Sequence, residues 1–508
     1  MSRPGPDLSA GELAVGLGLP APTPEQCEVI TAPLLPSVVV AGAGSGKTET
    51  MAARVLWLVA TGRVRPERVL GLTFTVKAAS ELADRLRSRL RRLAAAGIGP
   101  PPVDPAGSTA ADTATTPAAG SAYSAHSAEP VDEPTVLTYH SYAARIVGEH
   151  ALRIAREPSS RLMTQAASWQ LAQRIVMSYD GRLDRVDYKP VTVIHHVMEL
   201  AAQLGEHLVE TDDVLRFAAQ LRRTVEAVPD GKRKPGVYAP VAAALAVGDA
   251  RADLMALVGR YQAGKVAAGA LDFADQLALA ARVALAAAEV GAIERSRYDL
   301  VLLDEYQDTS YAQLVLMRTL FGAGHAVTAV GDPCQSIYGW RGASAGNLGR
   351  FAAEFATPGR RTPELPLSMS FRNDRAILDA ANALSQPLRR SGIPVAELAP
   401  GPDSRAGDVR VGLFETAAGE ADWVAAEIAA IWAADADDRA AGRPGRSVAL
   451  LCRRRSAFDA IAVALAGHGV PVELVEIGGL LHVPEVRDVV STLQVLADAA
   501  SGDALLRL

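Results

Sequence analysis

The sequence predicts an α/β protein of parallel-sheet lobes, with a helical subdomain inserted into the first lobe. Three observations carry this. Short apolar segments alternate with helix-period segments over two regions, the pattern of parallel strands joined by crossover helices. One apolar segment, Ser37 to Val40, runs straight into a glycine-rich turn and then a helical pattern. From about Ala155 to Ala267 helical periodicity replaces the alternation. A chain of 508 residues also exceeds one domain of about 100–200 residues, so several lobes are expected.

The elements follow in order. After the glycine-rich turn, Met51, Val55, Leu58 and Val59 share one helix face, and Gly62 ends that helix. Val69 to Phe74, Val136 to Tyr139, Leu300 to Leu303 and Val327 to Val330 are the further strand candidates. Between Ala94 and Pro134 the chain is mostly Ala, Pro, Gly, Ser and Thr, without lysine or arginine. Such a segment buries too little apolar surface to offset its ordering entropy, so a disordered surface insertion is expected. The helical subdomain carries a basic turn, Gly231 to Pro235, which could touch phosphates but reads more readily as a solvated loop. Beyond Thr357 a second α/β region begins and runs to Leu508.

Composition narrows the function classes. Apolar residues make up 49% of the chain and charged residues 21%, an ordinary globular balance. No apolar run reaches the roughly 18 residues of a membrane span, and the start, MSRPGPDLSAGEL, lacks a signal peptide's apolar segment. A cytoplasmic protein is expected, with no membrane partner. The net charge of −6 disfavours a binder that coats nucleic acid by bulk charge, but leaves room for a strand held in a local groove. Six lysines stand among 51 basic residues, a bias that reads as genomic composition and carries no functional weight. Cys27, Cys334 and Cys452 are too dispersed for a disulfide framework or a four-cysteine metal site.

The strongest local signal is Ala41-Gly42-Ala43-Gly44-Ser45-Gly46-Lys47-Thr48, between a strand and a helix. It is a phosphate-binding loop with alanine where the first glycine usually stands. Successive backbone N–H groups and the helix N-terminus cradle an anion, Lys47 reaches the β- and γ-phosphates of ATP, and Thr48 can ligate Mg²⁺. Its complement is an acidic pair at a strand end, which Leu302-Leu303-Asp304-Glu305 supplies. Asp304 would hold Mg²⁺, and Glu305 would orient and deprotonate the attacking water.

At this point the chain resembles the UvrD/Rep/RecB type of superfamily 1 DNA helicases. Asp304-Glu305-Tyr306-Gln307-Asp308-Thr309 is similar to that family's DExQDT box, and other boxes follow in the family's order. Pro22-Thr23-Pro24-Glu25-Gln26 resembles its Q-motif, which implies that Gln26 reads the adenine edge. Leu72 to Ala79 and Thr138 to Ser141 resemble boxes lining the single-strand track, which implicates Thr73, Phe74, Lys77 and His140. Leu271 to Asp275 resembles the segment returning from the helical insertion. In Gly331-Asp332-Pro333-Cys334-Gln335-Ser336-Ile337-Tyr338-Gly339-Trp340-Arg341-Gly342-Ala343 the resemblance makes Gln335 a γ-phosphate sensor and Tyr338, Trp340 and Arg341 DNA contacts. Stacking on an aromatic face is sequence-tolerant, which suits a motor stepping along any strand. Ser370-Phe371-Arg372-Asn373 resembles the box opening the second lobe, with Phe371 on adenine and Arg372 reaching the γ-phosphate.

The resemblance implies two RecA-like P-loop NTPase lobes. The first comprises residues 1–93, 136–154 and 268–357, interrupted by the insertion at 94–135 and the helical subdomain at 155–267. The second, 358–508, is incomplete: Val448 to Arg453, Gly467 to Pro471 and Gly478 to Leu493 look like parts of it, but the family's last boxes do not occur before Leu508. The implied function is an ATP- and Mg²⁺-dependent DNA helicase on single-stranded DNA or a duplex with a single-stranded tail. It is expected to move 3′ to 5′ in repair or recombination, and this chain alone to bind ATP but turn over slowly. The nearest likeness is to actinobacterial AdnAB-like helicase–nuclease subunits, which would add a second motor or nuclease subunit as partner. A non-catalytic ATP- and DNA-binding partner subunit is the alternative. His195-His196 lacks nearby ligands and reads as structural, as does Trp423, expected to pack in the second lobe. The five arginines between Glu81 and Arg92 read equally as a solvated face or a DNA contact.

Overall fold

The computed structural model describes residues 8–98, 133–157, 160–228, 237–339, 342–343, 346–475, 484–497, 504 and 507. Nearly all of the low-complexity segment, the basic turn at 231–235, and Trp340 and Arg341 therefore lie outside the described residues.

The described residues form ten strands: β1 (Ser37–Ala41), β2 (Val69–Thr73), β3 (Thr135–Thr138), β4 (Arg161–Leu162), β5 (Ala270–Leu271), β6 (Leu300–Leu303), β7 (Val327–Gly331), β8 (Glu364–Leu367), β9 (Met369–Ser370) and β10 (Ala399–Pro400). Six of them form one sheet in the order β3-β2-β6-β7-β1-β8, with every pair parallel. Parallel strands need crossover helices, and those helices cover both faces, so the strands can be apolar throughout. The two-residue period of a strand then divides its residues between two cores. Val38, Val40, Leu70, Leu72, Val301 and Leu303 enter one, while Val39, Ala41, Val69, Leu300 and Leu302 enter the other. The strand expectations thus hold to within a residue or two at their ends.

The insertion is helical, with Gln165–Met177, Pro190–His207, Thr211–Glu226 and Ala239–Ala267 as its long helices. It has its own core around Val193, Val197, Leu257, Val258 and Tyr261. At its root β4 pairs with β5. There the buried Lys265 ammonium meets Asp272 and Asp275 at 2.6 Å each. A buried ammonium is tolerated only when paired, so this cluster fixes the return of the chain into the main sheet.

The chain divides into two compact units, Met1–Asp408 and Val409–Leu508. The sequence reading put the start of the second lobe at residue 358, some way before this division. The physical reason is β8, which adds to the edge of the first sheet through Val38 to Ala41 of β1. In the second unit the described elements are helices, Ala417–Ala434, Ala436–Ala440, Phe458–Gly467 and Pro484–Ala497 among them. A small core of Ala425, Leu465 and Val470 joins the first and third of these. Trp423 packs on Phe414, with ring centroids 5.3 Å apart. The apolar segments around Val411 and Leu451 form no ladder among the described residues, and both side chains are exposed. No single described helix is long and apolar enough to cross a membrane.

Candidate functional site

The strand order sets the site. β1 lies between β7 and β8, and β7 lies beside β6, so the segments leaving the C-terminal ends of β1, β6 and β7 converge on one edge of the sheet. In open parallel sheets that edge is where ligands bind. Ala41 is still in β1 and has no positive φ, so an alanine serves where a glycine is usual. The turn itself comes from Gly44 and Gly46, at φ 76° and 78°, a left-handed conformation that side chains resist.

Gly46 precedes the helix Lys47–Ala60 and gives it no side-chain cap, so its first N–H groups are free to meet an anion. Ser45 Oγ donates to the Gly42 carbonyl (2.8 Å) and closes the loop. Gln26 braces it from outside: its amide donates to the Ser45 carbonyl (3.3 Å), while its amide oxygen accepts from Thr23 N–H. In this structure Gln26 therefore holds the loop backbone. Lys47 Nζ is buried, has no hydrogen-bond partner among the described residues, and lies 3.6 Å from Glu305 Oε2. Thr48 follows in the first helical turn, half-buried.

Asp304 and Glu305 leave the end of β6. Asp304 is buried, and its Oδ1 accepts from Glu305 N–H at 3.0 Å. Burial, with the Glu305 charge beside it, pushes the Asp304 carboxyl up to about 6, against the opposing pull of Lys47. Glu305 adopts φ 50°, rare for a non-glycine residue, which turns the chain sharply at the pair. A buried ammonium without a hydrogen bond, an uncapped helix N-terminus and two adjacent carboxylates form a donor set that fits a nucleotide phosphate with a hard divalent cation.

The segment after β8 reaches the same loop. Phe371 N–H donates to the Gly44 carbonyl at 2.9 Å. A Cβ on Gly44 would come within 2.6 Å of Arg372 Cβ, so only glycine permits this approach. Phe371 and Arg372 are exposed there. Glu25, next to Gln26, anchors the segment by accepting from Ser368 N–H (2.7 Å) and Ser368 Oγ (2.6 Å). Glu25 had no role in the sequence reading, since one carboxylate in a helix's first turn reads as a dipole partner.

The loop after β7 starts at Asp332, whose carboxylate accepts from Gln335 Nε2 (2.6 Å) and Cys334 N–H (2.9 Å). Three residues beyond Gln335, Tyr338 stacks on Phe74, with centroids 6.1 Å apart and planes 8° from parallel. His140 stands edge-on to Phe273 at 5.5 Å, and Phe273 is itself exposed. The aromatic candidates thus form two pairs. Phe273 joins them unforeseen, because its place in the LDFAD segment was legible but its neighbour was not. Lys77 is exposed, 3.9 Å from Glu81. Thr73 departs from expectation: it is buried, and its hydroxyl donates to the Thr75 carbonyl, because it closes β2 and turns inward. The arginine-rich helix is also put to structural use, with Arg85 and Arg89 on Glu49 and Arg87 on Asp84 and Glu133.

Fold and site together define a RecA-like α/β protein with a phosphate-binding type of loop and an acidic pair at the C-terminal ends of its parallel strands. The chain belongs to the UvrD/REP helicase family: the model of its N-terminal domain matches residues 22–356. Among its relatives, ATP-dependent DNA helicase UvrD1 of Mycobacterium tuberculosis (strain ATCC 25618 / H37Rv) is 27% identical over 513 residues, covering 99% of this chain and 55% of the relative. ATP-dependent DNA helicase PcrA of Leuconostoc citreum is 28% identical over 361 residues, 71% of this chain and 38% of that protein. DNA helicase II of Escherichia coli (strain K12) is 26% identical over 361 residues, 71% and 39% of the two chains. The chain spans about half the length of the UvrD1 relative it matches.

Proposed function

We propose that this chain is the ATP-hydrolysing motor portion of a DNA helicase that moves along single-stranded DNA. The observation that carries the proposal is the buried Lys47 ammonium, ion-paired with Glu305 but without a hydrogen-bond partner among the described residues, at the sheet end that also bears the Phe74–Tyr338 stack. Each group has a task in this reading. The loop from Ala41 through Gly42, Ala43, Gly44, Ser45 and Gly46 wraps the phosphates of ATP, and Lys47 neutralises the β- and γ-oxygens. Thr48 and Asp304 are the oxygen donors for Mg²⁺, which when bound supplies charge neutralisation across the phosphates. Glu305 takes the proton of the attacking water, Gln335 and Arg372 sense the γ-phosphate, and Phe371 stacks on adenine. Phe74, Tyr338, His140 and Phe273, with Trp340, Arg341 and Lys77, form the strand track.

Aromatic faces accept any base, and phosphate contacts fall away with salt, so binding is sequence-tolerant and salt-sensitive. The 3′-to-5′ direction, a place in repair or recombination, and the AdnAB-like subtype with its second subunit are finer readings supported by the sequence boxes. The test is ATP turnover by the purified chain with and without a single-stranded oligonucleotide. Turnover that rises with DNA supports the motor. ATP binding without turnover, equal in the parent and in Glu305→Gln, would instead favour a non-catalytic partner subunit.

A further inference from the structure

We infer that Gln307 is a positioning residue that ties the Glu305 carboxylate to the loop carrying Tyr338, and so transmits DNA occupancy to hydrolysis. The inference rests on the motor reading above and names the regulation of that same site.

Gln307 is 1% exposed and sits between the two segments. Its amide oxygen accepts from Asp332 N–H at 3.0 Å. A backbone N–H can only donate, so the amide has one possible orientation and its NH₂ must face the other way. There it donates to Glu305 Oε2 (2.8 Å) and, more weakly, to Asp308 Oδ2 (3.3 Å). The Gln307 backbone carbonyl accepts from Ser336 Oγ at 3.2 Å. Asp308 Oδ1 accepts from Ile337 N–H, also at 3.2 Å, one residue before Tyr338. The loop is therefore held at Asp332, Ser336 and Ile337, all by Gln307 or its neighbour, and the same amide holds the proposed general base.

Gly331 shows how closely the joint is built. A Cβ there would overlap the Gln307 amide oxygen and lie 3.2 Å from the Gln307 nitrogen. Gly331 is not at positive φ, so space and not backbone conformation demands glycine. When a base displaces the Tyr338 ring, a shift of the loop passes through these bonds to Gln307 and from its amide to Glu305. Buried, fully paired polar groups transmit such shifts because each broken bond would be costly.

The experiment measures ATP turnover of the full chain with saturating oligo-dT and without DNA, for the parent, Gln307→Met and Ser336→Ala. Methionine keeps the volume and removes both hydrogen-bonding ends. The expected result is a ratio of stimulated to unstimulated turnover about tenfold lower in Gln307→Met, with affinity for a fluorescent ATP analogue retained. A merely structural residue would lower both rates and leave their ratio. Should Gln307→Met fail to fold, Ser336→Ala decides, because it removes one hydroxyl from a half-buried loop position. A ratio reduced about threefold supports the relay, and an unchanged ratio overturns it. A parent that DNA does not stimulate sinks the motor reading, whereas a stimulated parent with equally stimulated variants sinks the relay alone.

Discussion

The Lys47 ammonium lies 3.6 Å from the Glu305 carboxylate, and no hydrogen-bond partner among the described residues meets it. The proposed phosphate-binding cation and the proposed general base thus face each other as an ion pair. Coulomb attraction at that distance offsets part of the cost of burying the ammonium, and a phosphate would take over the role.

Lys47→Ala should therefore lose ATP turnover by about a hundredfold or more, the usual effect of removing a preorganised charge at a transferring phosphoryl group. Turnover in saturating ATP is the measurement. Retention of parental turnover would mean that the loop is not the catalytic site.

The Asp304 carboxyl, pushed up to about 6 by burial and by Glu305, sets a pH dependence. The unfolded chain releases this proton near 3.9, so between about pH 4 and 6 the folded state holds a proton that the unfolded state has lost. Stability consequently falls as pH rises through that window, by up to roughly 3 kcal/mol, and the penalty persists above it. Without nucleotide or Mg²⁺, Asp304→Asn should be more stable than the parent by about 1–3 kcal/mol at pH 8 and no different near pH 4. Denaturant unfolding at the two pH values checks this. Mg²⁺-dependent turnover should show the complementary trend, weakening as pH falls and the proposed metal-binding carboxylate of Asp304 takes up its proton.

Arg54, fully buried in the helix after the phosphate loop, donates to the carbonyls of Val29 (2.9 Å), Ala32 (2.7 Å) and Pro33 (3.0 Å). Burial, with Arg63 nearby, lowers it to about 10, still protonated at neutral pH. It caps the end of the helix Pro24–Thr31 that carries Glu25 and Gln26. Arg54→Met should destabilise the fold by about 2–4 kcal/mol, since it strands several buried carbonyls. Chemical unfolding reads this directly, and a change below about 0.5 kcal/mol would show that those carbonyls find other partners.

Tyr338→Ala should weaken single-stranded DNA binding by roughly 1–3 kcal/mol, equally for different homopolymers, as expected for stacking without base readout. Fluorescence anisotropy at fixed salt is the test. Trp340→Ala should likewise reduce stimulation by DNA while sparing nucleotide binding. Parental affinity in the Tyr338 variant would remove the Phe74–Tyr338 pair from the strand track.

Much of the site was legible because its residues are clustered along the chain. The phosphate loop, the Asp304–Glu305 pair and the aromatic run after β7 each follow an apolar strand, and one strand–loop unit explains each. What escaped were relations between distant segments. Glu25 and Ser368 meet although 343 positions apart. Phe273 meets His140 only because the helical insertion returns at that point. Thr73, by contrast, looked available in its motif and proved buried, because helices cover both faces of the sheet and every residue of β2 is buried.

The sequence by itself determined the parallel α/β class, the strands of the first sheet and the chemistry at their ends. These depend on local periodicity and on residues that a glycine-rich turn brings together without help from elsewhere. Only the tertiary structure decided that β8 adds to the edge of the first sheet, that Gln307 bridges Glu305 and the loop after β7, and that Arg54 holds the Gln26 helix. Each of those rests on hydrogen bonds or strand pairing between segments far apart in the chain. Such pairing depends on how the covered sheet brings those segments together, and no single stretch of sequence encodes it.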